Sequence, residues 1–167
     1  IHSHGRQVRT AIERSRKKVA DLLNAAPAEI FFTSGGTEAD NTAIRCTVSE
    51  KGIKHIVTCR IEHHAVLHTV ESLEKRGIKV SYVNLDEDGQ VDYLHLESLL
   101  KDNPNTLVTL MHANNEIGNL LDIEKVGEMS KEHDAIFHSD TVQSMAHYTH
   151  DMKALNLDFG VGSAHKF

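Results

Sequence analysis

The chain is predicted to be an α/β domain, a mainly parallel sheet with helices on both faces. Three observations lead there. Short apolar or β-branched runs at residues 29–33, 56–59, 80–85, 106–111, 135–138 and 159–161 read as strands. Between them, residues 37–49, 65–76, 93–101 and 123–132 carry apolar positions at helical spacing with charged outer faces. The alternation repeats along the chain, and strand–helix alternation builds βαβ units, because parallel strands need long crossover connections.

The first element is a helix. Residues 6–24 place Val8, Ala11, Ile12, Val19, Leu22 and Leu23 between charges, the pattern of a helix with one buried face, and Pro27 follows its end. The later elements are separated by Lys51-Gly52, Arg76-Gly77, Asp86-Glu87-Asp88-Gly89 and Asp102-Asn103-Pro104-Asn105, all turn-forming combinations. With 167 residues, 40% hydrophobic and 25% charged, the composition is that of one globular domain with a core.

Charge and composition exclude several function classes. A net charge of −6 without a basic block argues against nucleic acid. No apolar stretch approaches the roughly 20 residues that span a bilayer, and Ile1-His2-Ser3-His4-Gly5-Arg6 has no signal-peptide core, so a cytosolic or organellar-matrix setting is expected, with no membrane partner. The two cysteines, Cys46 and Cys59, are too few for a disulfide framework and read as small packed hydrophobes. Histidine is the outlier at 13 residues, which raises metal binding and acid–base chemistry together.

In a parallel α/β sheet the ligand crevice lies beyond the carboxyl ends of the strands. After the run at 29–33 comes Thr33-Ser34-Gly35-Gly36-Thr37-Glu38, where glycines and a helix N-terminus suit a phosphate, although a plain capped turn fits equally. The run at 56–59 leads to Glu62-His63-His64-Ala65. Here a metal shared by His64 and His68, an ordinary satisfied histidine, and an imidazole stacking on a flat cofactor all compete, though no HExxH arrangement is present. The run at 106–111 ends in His112-Ala113-Asn114-Asn115-Glu116, amides able to bond a ring oxygen. Asp140 follows the run at 135–138; a buried acid needs a partner, and a protonated pyridine nitrogen is one. The last run delivers Gly162-Ser163-Ala164-His165-Lys166, and a desolvated lysine facing the crevice can form an imine.

Taken together, Phe32-Thr33-Ser34-Gly35-Gly36-Thr37-Glu38-Ala39-Asp40-Asn41, Glu62-His63-His64-Ala65-Val66, Met111-His112-Ala113-Asn114-Asn115-Glu116-Ile117-Gly118, His138-Ser139-Asp140-Thr141-Val142-Gln143 and Ser163-Ala164-His165-Lys166 resemble the cysteine desulfurases of the class V aminotransferase superfamily, over essentially the whole chain. The resemblance implies part of the large domain of a fold-type I pyridoxal-phosphate enzyme, with residues 1–167 forming an incomplete cofactor domain that lacks its start and everything after the cofactor lysine. It implies pyridoxal 5′-phosphate held at its phosphate by Gly36, Thr37, Ser163 and His165, and covalently by Lys166. Asp140 would pair with the pyridine nitrogen, Asn115 and Gln143 would bond the O3′ side and the substrate region, and His63 would stack on the ring and move protons.

The implied activity is removal of sulfur from L-cysteine, giving alanine and an enzyme persulfide for iron–sulfur cluster or thio-cofactor assembly. The implied partners are a second copy in a homodimer and a sulfur-accepting scaffold or carrier protein. A selenocysteine lyase, or another class V aminotransferase or lyase, is the neighbouring alternative, and a non-catalytic metal-binding module the remote one. Two departures stand out. Asp140-Thr141-Val142 replaces the family's commoner Asp-Ala pattern, and neither Cys46 nor Cys59 occupies the family's downstream cysteine loop, so these 167 residues are expected to be inactive alone.

Overall fold

Strand β1 (His55–Thr58) sits between β2 (Lys79–Tyr82) and β3 (Thr106–Thr109), and β4 (Ile136–Asp140) and β5 (Phe159–Val161) follow outward, all in parallel pairs. The order β2-β1-β3-β4-β5 is that of a doubly wound sheet. The computed structural model describes residues 3–166. Helix α1 (Ser3–Leu23) comes first, then α2 (Gly36–Glu50), α3 (His64–Glu74), α4 (Tyr93–Lys101) and α5 (Ile123–Glu132). The expected helices therefore form close to their sequence bounds.

Right-handed crossovers dictate where the helices go. The chain steps from β1 to β2 in one direction and from β2 through β3 to β4 in the other, so α3 lies on one face and α4 and α5 on the opposite face. Two cores result. Val57, Val108 and Phe137 pack with Leu96, Leu100, Ile123 and Val126 on the α4/α5 face. Ile56 and Leu107 pack with Ile44, Val48, Val66, Val70 and Leu73 on the α2/α3 face. Adjacent residues of one strand enter different cores because side chains alternate across a pleated strand. The reversal of strand order between β1 and β3 opens the crevice in which such folds bind ligands.

Two expectations need correction. Residues 29–33 do not form a strand. Pro27–Glu29 makes a short 3-10 turn, Ile30 is extended but no strand pairs with this segment among the described residues, and Phe31 and Phe32 are 81% and 53% exposed. Strand identity requires a hydrogen-bonding partner, which local propensity cannot supply. The segment is held instead by Arg16 of α1, whose guanidinium donates to the Ile30 carbonyl and lies 4.8 Å above the Phe32 ring. The apolar stripe of α1 is likewise not buried as expected: of its described residues only Ala20 is fully enclosed, while Val8, Ile12 and Leu22 are exposed. The helix docks through its C-terminal end, where the Leu23 carbonyl accepts from Met152 N–H and Asn24 donates to Asp151.

Candidate active site

The carboxyl ends of the strands are tied to each other side by side, and the ties explain why each loop stands where it does. Beyond β1, Glu62 reaches across to accept the Met111 N–H beyond β3 at 2.6 Å. In return, Asn114 donates to the Ile61 carbonyl at 2.6 Å while its oxygen accepts from Glu116 and Ile117 N–H, shaping the turn that carries Asn115. Beyond β3, the His112 N–H donates to the Asp140 carbonyl of β4. Beyond β4, the Thr141 N–H and hydroxyl both donate to the Val161 carbonyl of β5. The threonine in the sequence departure thus makes a buried side-chain bond that alanine could not make.

His63 is the N-cap of α3, and its Nδ1 accepts from Ala65 N–H at 3.2 Å. A neutral ring must then carry its proton on Nε2, on the side left exposed. Asp140 ends β4, 5% exposed, with Oδ1 accepting the Val142 N–H at 2.9 Å. Burial pushes its carboxyl pKa up, the charge of Asp40 adds to that, and His138 and His63 pull the other way.

Helix α2 brings the phosphate-type residues to the same place. It begins at Gly36, where a Cβ would sit 3.2 Å from Val142 Cγ2 and 3.9 Å from Ser163 Cβ. Glycine is needed here by close approach, and the helix N-terminus with its unpaired N–H groups is pressed between the loops beyond β4 and β5. Thr37 follows at the first turn. Ser163 is buried, and its hydroxyl is 2.9 Å from His165 Nδ1. Lys166 closes a short 3-10 turn, its N–H bonded to the Ser163 carbonyl. It is exposed rather than desolvated, which corrects the expectation for its environment. Asn115 is exposed at its turn, and Gln143 is half-buried in the tight turn after Asp140.

Sequence reasoning missed a group of buried polar side chains beneath this crevice. Asp40 on α2 and His138 on β4 are almost fully enclosed, with Oδ1 and Nε2 3.3 Å apart but too poorly aligned for a hydrogen bond. Glu62 is enclosed too: burial pushes its pKa up to about 8, and its Oε2 has no protein partner among the described residues. Three buried carboxyl groups, Asp40, Glu62 and Asp140, thus surround one region and act on one another. Asp40 and Glu62 were visible as motif members, yet only their positions in the fold reveal that they are buried.

Of the two cysteines expected as packed small hydrophobes, only Cys59 is one, and the expectation is corrected for Cys46 because its position on α2 faces solvent. Cys59 is buried, 3.3 Å from Glu62 Oε1, and burial pushes its thiol far above the range where a thiolate forms. The rings of His64 and His68 stack with centroids 5.2 Å apart. Among the described residues no group of three or more His, Cys, Asp or Glu side chains is placed to hold a metal ion.

Comparison with known proteins agrees with this layout. Residues 1–167 match the class-V aminotransferase family. The chain is 44% identical over 169 residues to cysteine desulfurase IscS of Clostridium botulinum, covering 100% of this chain and 42% of that protein. It is 45% identical to putative cysteine desulfurase IscS 1 of Bacillus subtilis, over 99% of this chain and 44% of that one. The solved structure of SspA in complex with cysteine superposes with a TM-score of 0.93 at 36% identity, covering 99% of this chain and 48% of the other. A NifS-like protein superposes with a TM-score of 0.92 at 37% identity, over 99% and 46%. The chain therefore spans less than half the length of these relatives.

Proposed function

Because the chain belongs to the class-V aminotransferase family, we propose that it is the cofactor-holding part of a cysteine desulfurase that acts on L-cysteine. The observation that carries this is the convergence of Gly36, Ser163 and Asp140 on one crevice through ties between neighbouring strand ends.

The residues present fit pyridoxal phosphate, the family's cofactor. The lack of a Cβ at Gly36 lets the start of α2 pack against Val142 and Ser163, which brings its N–H groups, with Thr37 in the first turn, next to Ser163, where a phosphate would be held. At the other end, a surplus of buried carboxyl groups around Asp140 favours a cation, as a protonated pyridine nitrogen is. When bound, the cofactor supplies a ring that draws electrons from a substrate Cα. Asp140 would keep the ring nitrogen protonated. The His63 ring, oriented by its cap bond, would cover the ring face and could hold or move a proton at Nε2. Asn115 and Gln143 would orient the ring's oxygen side, and the exposed Lys166 amine would hold the cofactor and, once the substrate amine has replaced it, could take the Cα proton.

The thiolate that accepts sulfur comes from outside these residues, since Cys59 is buried and Cys46 stands on the flank of α2. The apolar stripe left exposed on α1 supports a homodimer or a docked remainder of the protein. We place the protein in the cytosol or an organellar matrix, passing sulfur to an acceptor protein.

The test uses the full-length protein. It should carry a yellow chromophore that borohydride bleaches and Lys166→Ala abolishes, and should release alanine from L-cysteine in excess of alanine from other amino acids. Faster turnover of L-selenocysteine would favour a selenocysteine lyase, and transamination of another amino acid a class V aminotransferase. No chromophore in a folded protein would overturn the cofactor reading. Residues 1–167 alone should release neither alanine nor sulfide.

A further inference from the structure

Behind Asp140 lies a buried cluster that the proposed chemistry does not use: His112, Ser144 and His150, which are 5%, 0% and 3% exposed. His112 Nδ1 is 2.8 Å from Ser144 Oγ and 3.0 Å from His150 Nε2. His150 Nδ1 is 3.1 Å from the Tyr148 carbonyl oxygen, and Ser144 Oγ can donate to the Thr141 carbonyl at 3.3 Å. The Tyr148 ring leans over His112 at 5.5 Å.

The protons in this cluster can be assigned from the partners alone. A carbonyl only accepts, so His150 Nδ1 carries a hydrogen, and in a neutral ring its Nε2 is then a bare acceptor. His112 Nδ1 faces that acceptor, and two lone pairs 3.0 Å apart would repel, so His112 Nδ1 carries the hydrogen and donates. Each of these contacts is satisfied with both rings neutral. Burial and the mutual repulsion of two charged rings act in the same direction, holding His112 down to about 4.

The cluster joins two loops. His112 opens the turn that carries Asn115, and Ser144 directly follows Gln143. We infer that His112, Ser144 and His150 form a neutral hydrogen-bonded clamp that fixes Asn115 and Gln143 relative to each other and to Asp140, so that these three are positioning residues for the ring-orienting amides. This rests on the reading of the crevice as a pyridoxal-phosphate site.

The experiment is done on full-length protein, with two readouts. In the apo form, histidine-selective ¹⁵N NMR between pH 6 and 8 should show both rings neutral and protonated on Nδ1; a charged ring, or His112 protonated on Nε2, overturns the clamp whatever the site binds. In the cofactor-loaded form, visible circular dichroism per bound cofactor reports how firmly the ring is oriented. His112→Leu should lower it at least about twofold and weaken pyridoxal-phosphate binding about tenfold, the scale of leaving buried partners unpaired. His112→Asn, whose amide replaces the Nδ1 donor, should restore most of both.

Ser144→Ala, which removes one oxygen and leaves the packing, should give a smaller change of the same kind and decides the matter if His112→Leu does not fold. Folded Leu and Ala variants with wild-type dichroism and affinity would overturn the clamp. A wild-type protein that binds no pyridoxal phosphate would overturn the cofactor reading and the clamp's role with it.

Discussion

On the α4/α5 face of the sheet, Val57, Val108 and Phe137 are buried among leucines, isoleucine and valine, and the one histidine at the start of β1 has both ring nitrogens bonded, to Thr106 and Ser81. On the α2/α3 face the same strands begin with Ile56 and Leu107 and end in Thr58, Thr109, His138 and Asp140. Near those ends, Asp40 Oδ1, Thr58 Oγ1, Glu62 Oε2 and His138 Nε2 lack hydrogen-bond partners among the described residues. The α4/α5 face supplies stability and leaves a hydroxyl, Ser130 Oγ on α5, buried without a partner among the described residues, but no acid. The other leaves buried acids unsatisfied at the crevice, the pattern of a surface prepared for a ligand at some cost in stability.

Substitutions that separate the two faces test this. The largest effect should come from Phe137→Ala, which empties the centre of the α4/α5 core and should lower stability by about 3–5 kcal/mol in urea unfolding, with the crevice chemistry spared until the protein unfolds. Gly127→Ala should also be severe, by roughly 1–3 kcal/mol, because a Cβ there would overlap the Leu155 carbonyl oxygen. A Gly127→Ala variant as stable as wild type would show that α5 is not seated directly on that carbonyl.

On the crevice face the sign should reverse. The pKa of Glu62 is raised to about 8 in the folded state, so its stabilising contribution is complete below the usual 4.5 and is lost as pH rises through about 8. Glu62→Gln keeps an oxygen for the Met111 N–H but cannot ionise. It should therefore be more stable than wild type at pH 8, by on the order of 1–3 kcal/mol, with the difference vanishing near pH 4.5. Equal stability across that range would mean that Glu62 is not a strained acid.

Histidine acts in the opposite sense. Burial first, and neighbouring charge second, hold His55 and His112 down to about 4. Both contribute stability that is present above the usual 6.5 and is lost as pH falls toward 4. His55→Gln should therefore lose less melting temperature than wild type, or gain more, between pH 6.5 and pH 4.5, because it removes one of these two contributions and leaves that of Glu62, which has the opposite sign. The smallest effect should be that of Glu97→Gln, which breaks the exposed pair with Lys101 and should leave the urea midpoint within the error of its measurement.

Much of the fold was legible because it is written in local periodicity. Apolar runs of strand length and helical spacing between them located each of the described paired strands and α-helices, and the rule that ligands bind beyond strand ends pointed to His63, Asn115, Asp140 and Ser163. Asp92 and Asp122 cap α4 and α5 as short polar residues before helical runs should. Residues 29–33 show the limit. Their propensity is that of a strand, but pairing is a long-range property, and no described neighbour completes the ladder.

By itself, then, the sequence determined the alternation of elements, the parallel sheet and the chemical types standing at each strand end, since all of these follow from neighbours within a few positions. Only the tertiary structure decided that Gly36 would meet Val142 and Ser163, that Glu62 would be buried against Met111, and that His112 and His150 would share one proton-bearing contact. Those outcomes depend on residues tens of positions apart brought together by crossovers. Burial, which sets whether a carboxyl is an ordinary surface acid or a poised one, exists only once those crossovers have closed.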